Sequence, residues 1–139
     1  VTLISRLIDG KYPEYSKILP KEANTEAKID KEELNIALKR VNLFAKEANN
    51  SIHINLDQAK QTLIIKSDQT RVGQELSEIP VAASGSDNQI SINSQYLTDL
   101  LSALNVLEIN MSVNEKTTPV KITEPDNSNF LYIIMPLRV

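Results

Sequence analysis

The chain has no cysteine and no tryptophan, and a single histidine, His53. Without cysteine there is no disulfide scaffold, no thiolate metal centre and no thiol nucleophile. That absence fits a reducing cytosol. One histidine leaves no His-rich metal site and argues against a Ser–His relay. Glycine is scarce, with three isolated residues, so no Gly-rich loop cradles a phosphate. No cofactor is therefore expected. Neither sign of charge dominates: the net charge is −3 and the pI is near 5.2, which excludes a strongly basic nucleic-acid binder but allows a local basic face. Long hydrophobic runs are missing too. The longest, residues 130–135, is far too short to cross a bilayer, and no membrane partner is expected. No signal-peptide pattern precedes the first strand-like segment. The chain begins with Val1 rather than Met, and we expect it to be a piece of something longer.

What is present fits a folded domain. With 41% hydrophobic and 24% charged residues, 139 residues make one domain large enough for a full core. Residues 1–8 are β-branched and apolar and read as a strand, stopped by Asp9-Gly10. Residues 11–20 form an ordered loop, because Pro13 and Pro20 forbid a helix there. Tyr12, Tyr15, Ile18 and Leu19 are too apolar for an idle linker. Residues 21–27 are polar and read as a surface connection. Asp30 then caps a helix, with Glu33 completing a capping-box-like pair. Leu34, Ala37, Leu38, Val41 and Ala45 recur at helical spacing as one buried stripe. Asn49-Asn50 ends the helix. Ile52, Ile54 and Leu56 alternate with polar residues as a half-buried strand, and residues 63–66 return after a turn. His53 falls on the polar side of its strand and is expected to be exposed.

Residues 67–77 are ambiguous. Residues 78–83 read as a strand at a sheet edge because of Pro80, and residues 84–88 as a turn. Ile90 and Ile92 lead into Asn93, a second N-cap. Leu97, Leu100, Leu101 and Leu104 make a second amphipathic helix. Residues 108–113 alternate as a strand, and residues 120–123 return. A polar loop at residues 124–129 leads to a last strand at residues 130–135, which Pro136 ends.

The two helical units repeat. The caps Asp30 and Asn93 lie 63 positions apart, and at that offset Leu34, Leu38 and Val41 meet Leu97, Leu101 and Leu104. After the helices the offset is 57, and Ile52, Ile54 and Leu56 meet Ile109, Met111 and Val113. Leu63 and Ile65 meet Val120 and Ile122 at the same offset. Each unit is strand, cap, helix, strand, turn, strand. One unit alone cannot bury its helix stripe. The fold class read from the pattern is α+β: two pseudo-repeated units whose helices pack on one face of a shared antiparallel sheet.

Particular residues carry a resemblance. The run from Ser5 to Tyr15 (SRLIDGKYPEY), followed by Ile18-Leu19-Pro20, resembles the opening of the third domain of the bacterial sliding clamps, the beta subunits of DNA polymerase III. Ala37-Leu38-Lys39-Arg40-Val41, then Ile92-Asn93-Ser94-Gln95-Tyr96-Leu97, and finally Tyr132 to Arg138 (YIIMPLR) are similar to the same domain in order. The resemblance spans essentially the whole chain. It implies a DNA-clamp domain of two similar halves, here residues 1–139, in a three-domain subunit that forms a homodimeric ring around duplex DNA. It also implies a bacterial, cytoplasmic, non-catalytic replication factor. DNA polymerase and clamp-loader subunits would bind it through short linear motifs.

By this resemblance the partner cleft has one wall made of Pro13, Lys17, Ile18, Asn93, Tyr96, Thr117, Pro119, Ile133, Ile134, Met135, Pro136, Leu137 and Arg138. Lys17 stands where the family often has Arg and lacks its planar fork. Leu43 and Phe44 would contact the other subunit. The segment 71–78 of many relatives is an acidic edge; here it carries Arg71, Glu75 and Glu78. Lys39, Arg40 and Lys46 would face DNA phosphates without reading bases. The second helix, with Ser94, Gln95, Thr98, Asp99, Ser102 and Asn105, is a poor phosphate binder. The residues alone also leave open a free-standing α+β peptide-binding module. Nothing in them supports an enzyme: Ser84-Gly85-Ser86 is followed by no helix, and the carboxylates show no paired spacing on one helix face.

Overall fold

The computed structural model describes residues 1–20 and 22–138. Lys21, which opened the expected surface connection, and Val139, at the end of the apolar tail, lie outside the described residues. Nine strands and two α-helices follow in the order β1 (Thr25–Asp30), α1 (Lys31–Ala45), β2 (Ser51–Asp57), β3 (Thr62–Ser67), β4 (Leu76–Pro80), β5 (Ala82–Gly85), β6 (Asn88–Asn93), α2 (Ser94–Ala103), β7 (Glu108–Val113), β8 (Val120–Glu124) and β9 (Asn127–Ile134). They form two antiparallel sheets, β5-β1-β7-β8-β9 and β4-β3-β2-β6. The α+β class and the two helices are as the sequence pattern implied.

The single shared sheet is corrected to two. Each unit lends its first strand to the other unit's sheet: β1 pairs with β7, and β6 pairs with β2. Nine twisted strands in one sheet expose more apolar face than two helices cover, and splitting relieves both twist and exposure. The helix α1 now touches strands of both sheets, and α2 reaches α1 and β9. The repeat is visible in the register itself. Ile29 opposes Ile109 and Ala27 opposes Met111, and at the same offsets Ile92 opposes Ile52 and Ile90 opposes Ile54.

The helix starts follow from local chemistry. The Asp30 carboxylate accepts from the Glu33 backbone N–H at 2.9 Å, and the Asn93 side chain accepts from the Gln95 N–H at 2.9 Å, so each satisfies an orphan donor of the first turn. The expected stripe Leu34, Ala37, Leu38, Val41 and Ala45 is wholly buried. The helix runs into a 3₁₀ turn at Lys46–Ala48, which ends where Asn49 and Asn50 take positive φ, 54° and 59°, a conformation Asn tolerates better than most residues.

Three segments differ from the sequence expectation. Residues 1–8 form no strand, and Leu3, Ile4, Leu7 and Ile8 are each about nine-tenths exposed; none of the strands among the described residues pairs with them. Thr25 and Ala27 belong to an interior strand, not a surface connection. Their side chains are buried but small, so they leave little apolar signal. The polar loop at residues 124–129 is only a turn at Pro125 and Asp126, since Glu124 already pairs with Asn127. The strand at residues 78–83 is two strands in two sheets. Pro80 ends β4, an outer strand as its proline demands, and β5 is outermost in the other sheet.

Gln61 secures that crossing. Its side chain donates to the Ala83 carbonyl and accepts from the Ala83 N–H, both at 2.8 Å. Gly85 closes the seam with φ 94°, and a Cβ there would lie 2.0 Å from the Asn24 carbonyl oxygen.

Candidate peptide-binding groove

Pro136 cannot continue the ladder, so the chain leaves β9 and the five-stranded sheet at Ile134. Residues 135–138 cross the seam to the other sheet, where the Leu137 N–H donates to the Ser91 carbonyl of β6 at 2.7 Å. The apolar tail is thus tied at both ends to different sheets, and it leaves a depression on either side.

The first depression, about 540 Å³, lies between the tail and the segment that follows Gly10. Pro13 and Ile18 face Ile133 and Met135 across it, with Tyr12 and Tyr15 adding aromatic surface. A single 3₁₀ turn at Tyr15–Lys17 shapes that side: Tyr15 N–H donates to the Pro13 carbonyl at 2.9 Å, and Ile18 N–H to the Tyr15 carbonyl at 3.0 Å. Ile18 and Met135 remain 49% and 56% exposed and line the same concave apolar surface. Leu131, Tyr132 and Asn129 complete the wall. The Tyr132 hydroxyl donates to the Tyr96 carbonyl at 3.3 Å, and burial, with the charge of Asp99 nearby, raises its pKa, so it stays a donor at neutral pH.

The second depression, about 270 Å³, is polar and bears positive charge. Thr117, Leu137 and Arg138 meet His53, Ser91 and Lys116 there. His53 is not the exposed residue expected. Its Nδ1 lies 2.7 Å from Ser91 Oγ and its Nε2 lies 2.6 Å from Asp68 Oδ1. Hydrogen bonds from His53 and then from Ser51 outweigh partial burial and hold the Asp68 carboxyl below the usual carboxylate range. A hydroxyl–imidazole–carboxylate line is therefore present, which the lone histidine argued against. Ser91 sits mid-strand rather than on a strand-to-helix elbow, and both ring nitrogens are engaged. The line ties β6 to β2 and to the connection after β3, and so steadies the strand on which the tail docks.

The expected cleft wall is thus divided. Pro13, Ile18, Ile133 and Met135 gather in the apolar depression, and Thr117, Leu137 and Arg138 in the polar one. Pro136 is half-buried between them. Asn93 caps α2, and Tyr96 is half exposed above Tyr132. Lys17 lines neither depression and pairs with Glu14 instead. Two residues are corrected. Ile134, 1% exposed, points into the core because it follows the outward-facing Ile133, and Pro119 is buried beside Val120. Tyr12, Tyr15 and Leu131 were missed as wall residues, though the apolar content of residues 11–20 was a signal for the first two.

Two further surfaces carry expected site residues. Leu43, on α1, is 70% exposed. Phe44 is half-buried against Gly73 rather than in the core, and the turn that holds Gly73 also carries the exposed Val72. Lys39 and Arg40 are exposed on α1, and Lys46 on the 3₁₀ turn that follows it; none joins an ion pair among the described residues. An Asn42–Thr98 hydrogen bond of 3.2 Å sets α2 alongside, where Gln95 and Asp99 already satisfy each other.

Comparison with known proteins gives a consistent result. The family described as DNA polymerase III beta subunit, C-terminal domain, matches residues 16–138. A beta sliding clamp of Synechococcus elongatus is 32% identical over 137 residues, 99% of this chain and 36% of that protein. A beta sliding clamp of Bacillus subtilis is 27% identical over 139 residues, 99% of this chain and 37% of that protein. The chain spans little more than a third of the curated relatives it matches. Among solved structures, the DNA polymerase III beta subunit of Thermotoga maritima superposes with a TM-score of 0.90 at 28% identity, covering 96% of this chain and 36% of that one. A sliding clamp of Pseudomonas aeruginosa bound to griselimycin gives a TM-score of 0.87 at 25% identity, covering 97% of this chain and 36% of that one.

Proposed function

The chain belongs to the DNA polymerase III beta subunit family, as its C-terminal domain, and on that premise we propose that it is one domain of a ring-shaped, cytoplasmic sliding clamp. The role is non-catalytic. Duplex DNA passes through the ring, and polymerase and clamp-loader subunits are held by short linear motifs at the groove beside the tail. The whole subunit carries three such domains, of which this chain is the last.

The observation that carries the reading is the tail: an apolar segment stretched between two sheets, with Ile18 and Met135 left half exposed beside it. Each buried Leu or Phe anchor of a partner gains roughly 1.5–3 kcal/mol. Two or three anchors give roughly 3–9 kcal/mol, against an association cost of ~4–15 kcal/mol. Weak, exchangeable docking follows, which suits a hub that passes partners on. The exposed Leu43 and the half-buried Phe44 suit contact with the second subunit. Lys39, Arg40 and Lys46 suit loose, sequence-independent contact with phosphates, since a closed ring needs no tight grip.

Deletion of residues 135–139 from the complete subunit tests the docking role. Peptide binding is expected to disappear while the dimeric ring persists in sedimentation. Unchanged peptide affinity would refute it.

A further inference from the structure

We propose that the hollow at the far end of the five-stranded sheet is a second docking point, fitted to a cationic polypeptide segment that presents one large apolar side chain flanked by Arg or Lys. It is separate from the groove beside the tail and does not depend on that groove being a peptide site.

The hollow, about 480 Å³, opens where the connection from α2 to β7 meets the turn between β8 and β9. Val106, Leu107 and Pro125 give it an apolar side. Val106 packs half-buried against the core, whereas Leu107 beside it is 85% exposed. That leucine is not loose. Its carbonyl accepts from the Lys31 N–H at 2.9 Å, which ties the connection to the start of α1. An anchor surface held in place before binding loses little freedom when a partner covers it.

The charge around it is one-sided. Three carboxylates, Glu108, Glu124 and Asp126, line it against a single ammonium, Lys28. Lys28 is already paired with Glu108 at 2.6 Å. Glu124 has a neutral partner, the Asn127 side-chain amide at 2.7 Å, and Asp126 joins no ion pair among the described residues. Lys31 donates from its ammonium to the Leu104 carbonyl and does not line the hollow. Two carboxylates therefore stand without a cation beside an exposed leucine. Phosphates are repelled there. Arg suits the place, because its planar fork matches a carboxylate while its stem lies on apolar surface. The charges select the partner, and burial of an anchor against Val106 and Leu107 supplies the hold. β9 runs from Asn127 at this hollow to Ile134 at the tail, about 23 Å of extended chain, so both sites can be filled at once.

The test is a nitrogen-15 NMR titration of the chain with three blocked peptides of one length, taken to about 5 mM so that millimolar affinity is read. The first carries Leu between two Arg, the second Leu between two Glu, and the third Ala between two Arg. We expect the first to shift the amides of Val106, Leu107, Asp126 and Asn127. It binds about three- to tenfold more tightly than either of the others at low ionic strength, and its advantage over the Glu peptide shrinks as salt screens the contact. Leu107→Ser with Asp126→Asn removes these shifts and keeps the dispersed spectrum of a folded chain. Equal binding of the first and second peptides overturns the charge requirement. Equal binding of the first and third overturns the anchor and leaves only counter-ion association. Shifts confined to Ile18, Ile133 and Met135 put the peptide in the groove and overturn the second docking point. Absence of shifts, or shifts that persist in the double variant, overturns it too.

Discussion

Ile18→Ala combined with Met135→Ala removes apolar surface from the groove without touching the core. The two side chains are 49% and 56% exposed, so about half of each remains to be covered by a partner. Full burial of such a side chain stabilises by roughly 1.5–3 kcal/mol, and half of that leaves about 0.8–1.5 kcal/mol per residue for docking. The pair therefore costs roughly 1.5–3 kcal/mol of binding, about a ten- to hundredfold rise in Kd. The fold is expected to survive, because neither residue belongs to the buried core cluster. Its melting temperature should fall by less than about 5 °C. Fluorescence anisotropy with a labelled peptide carrying Leu and Phe anchors reads the affinity, and circular dichroism reads the fold. Leu107→Ala is the control, since Leu107 is 85% exposed at the far end of the five-stranded sheet and lines neither depression. Affinity within threefold of the parent in the double variant, with the fold intact, would refute the reasoning. So would an equal loss in the control.

Leu43→Ala with Phe44→Ala in the complete subunit should shift it towards monomer in sedimentation, and an intact dimer contradicts the interface assignment. Gly85→Ala should cost more than about 1 kcal/mol in urea unfolding, because φ is 94° and the new Cβ would meet the Asn24 carbonyl oxygen; unchanged stability would mean the seam is not so close. Asp68 titrates below its usual range, so its contribution is present above the ordinary carboxylate pKa and is lost as pH falls through the lowered value. Asp68→Asn should flatten the acid limb of a stability–pH curve, and an unaltered limb would show that the His53 contact adds nothing.

The helices were legible because both kinds of signal coincide in them. Asp30 and Asn93 are good caps, and the Leu34 to Ala45 stripe has only one period that fits. The hairpins were legible because Ile52, Ile54 and Leu56 alternate plainly, with Ile54 and Leu56 facing Ile65 and Leu63. The pairing partners of β1 and β6 were not legible. Repeat offsets show which residues are equivalent, but not whether equivalent strands stay in their own half or trade places. Thr25 and Ala27 were hidden for a different reason: an interior strand that packs small side chains looks like a polar connection.

The groove shows the same division. Met135 and Pro136 announced themselves, since an apolar stretch stopped by proline has to be docked or used. Ile134 was misplaced because a strand alternates faces, and the neighbouring Ile133 took the outward one. Residues 1–8 misled in the opposite direction. Their β-branched composition is real, but a strand is a property of two segments, and no strand among the described residues pairs with them. The His53 network was out of reach because Ser91 and Asp68 are 38 and 15 positions away from it, and only the strand register brings them together.

The central claim is that this domain serves a ring held on DNA by topology. The most direct measurement loads the complete subunit onto a nicked circular duplex with its clamp loader, isolates the complex by gel filtration, and then linearises the DNA. The account predicts that protein stays on the circle through high salt and is lost within minutes once an end is cut. Loss from the intact circle at the same rate, or retention on the linear form, would contradict it.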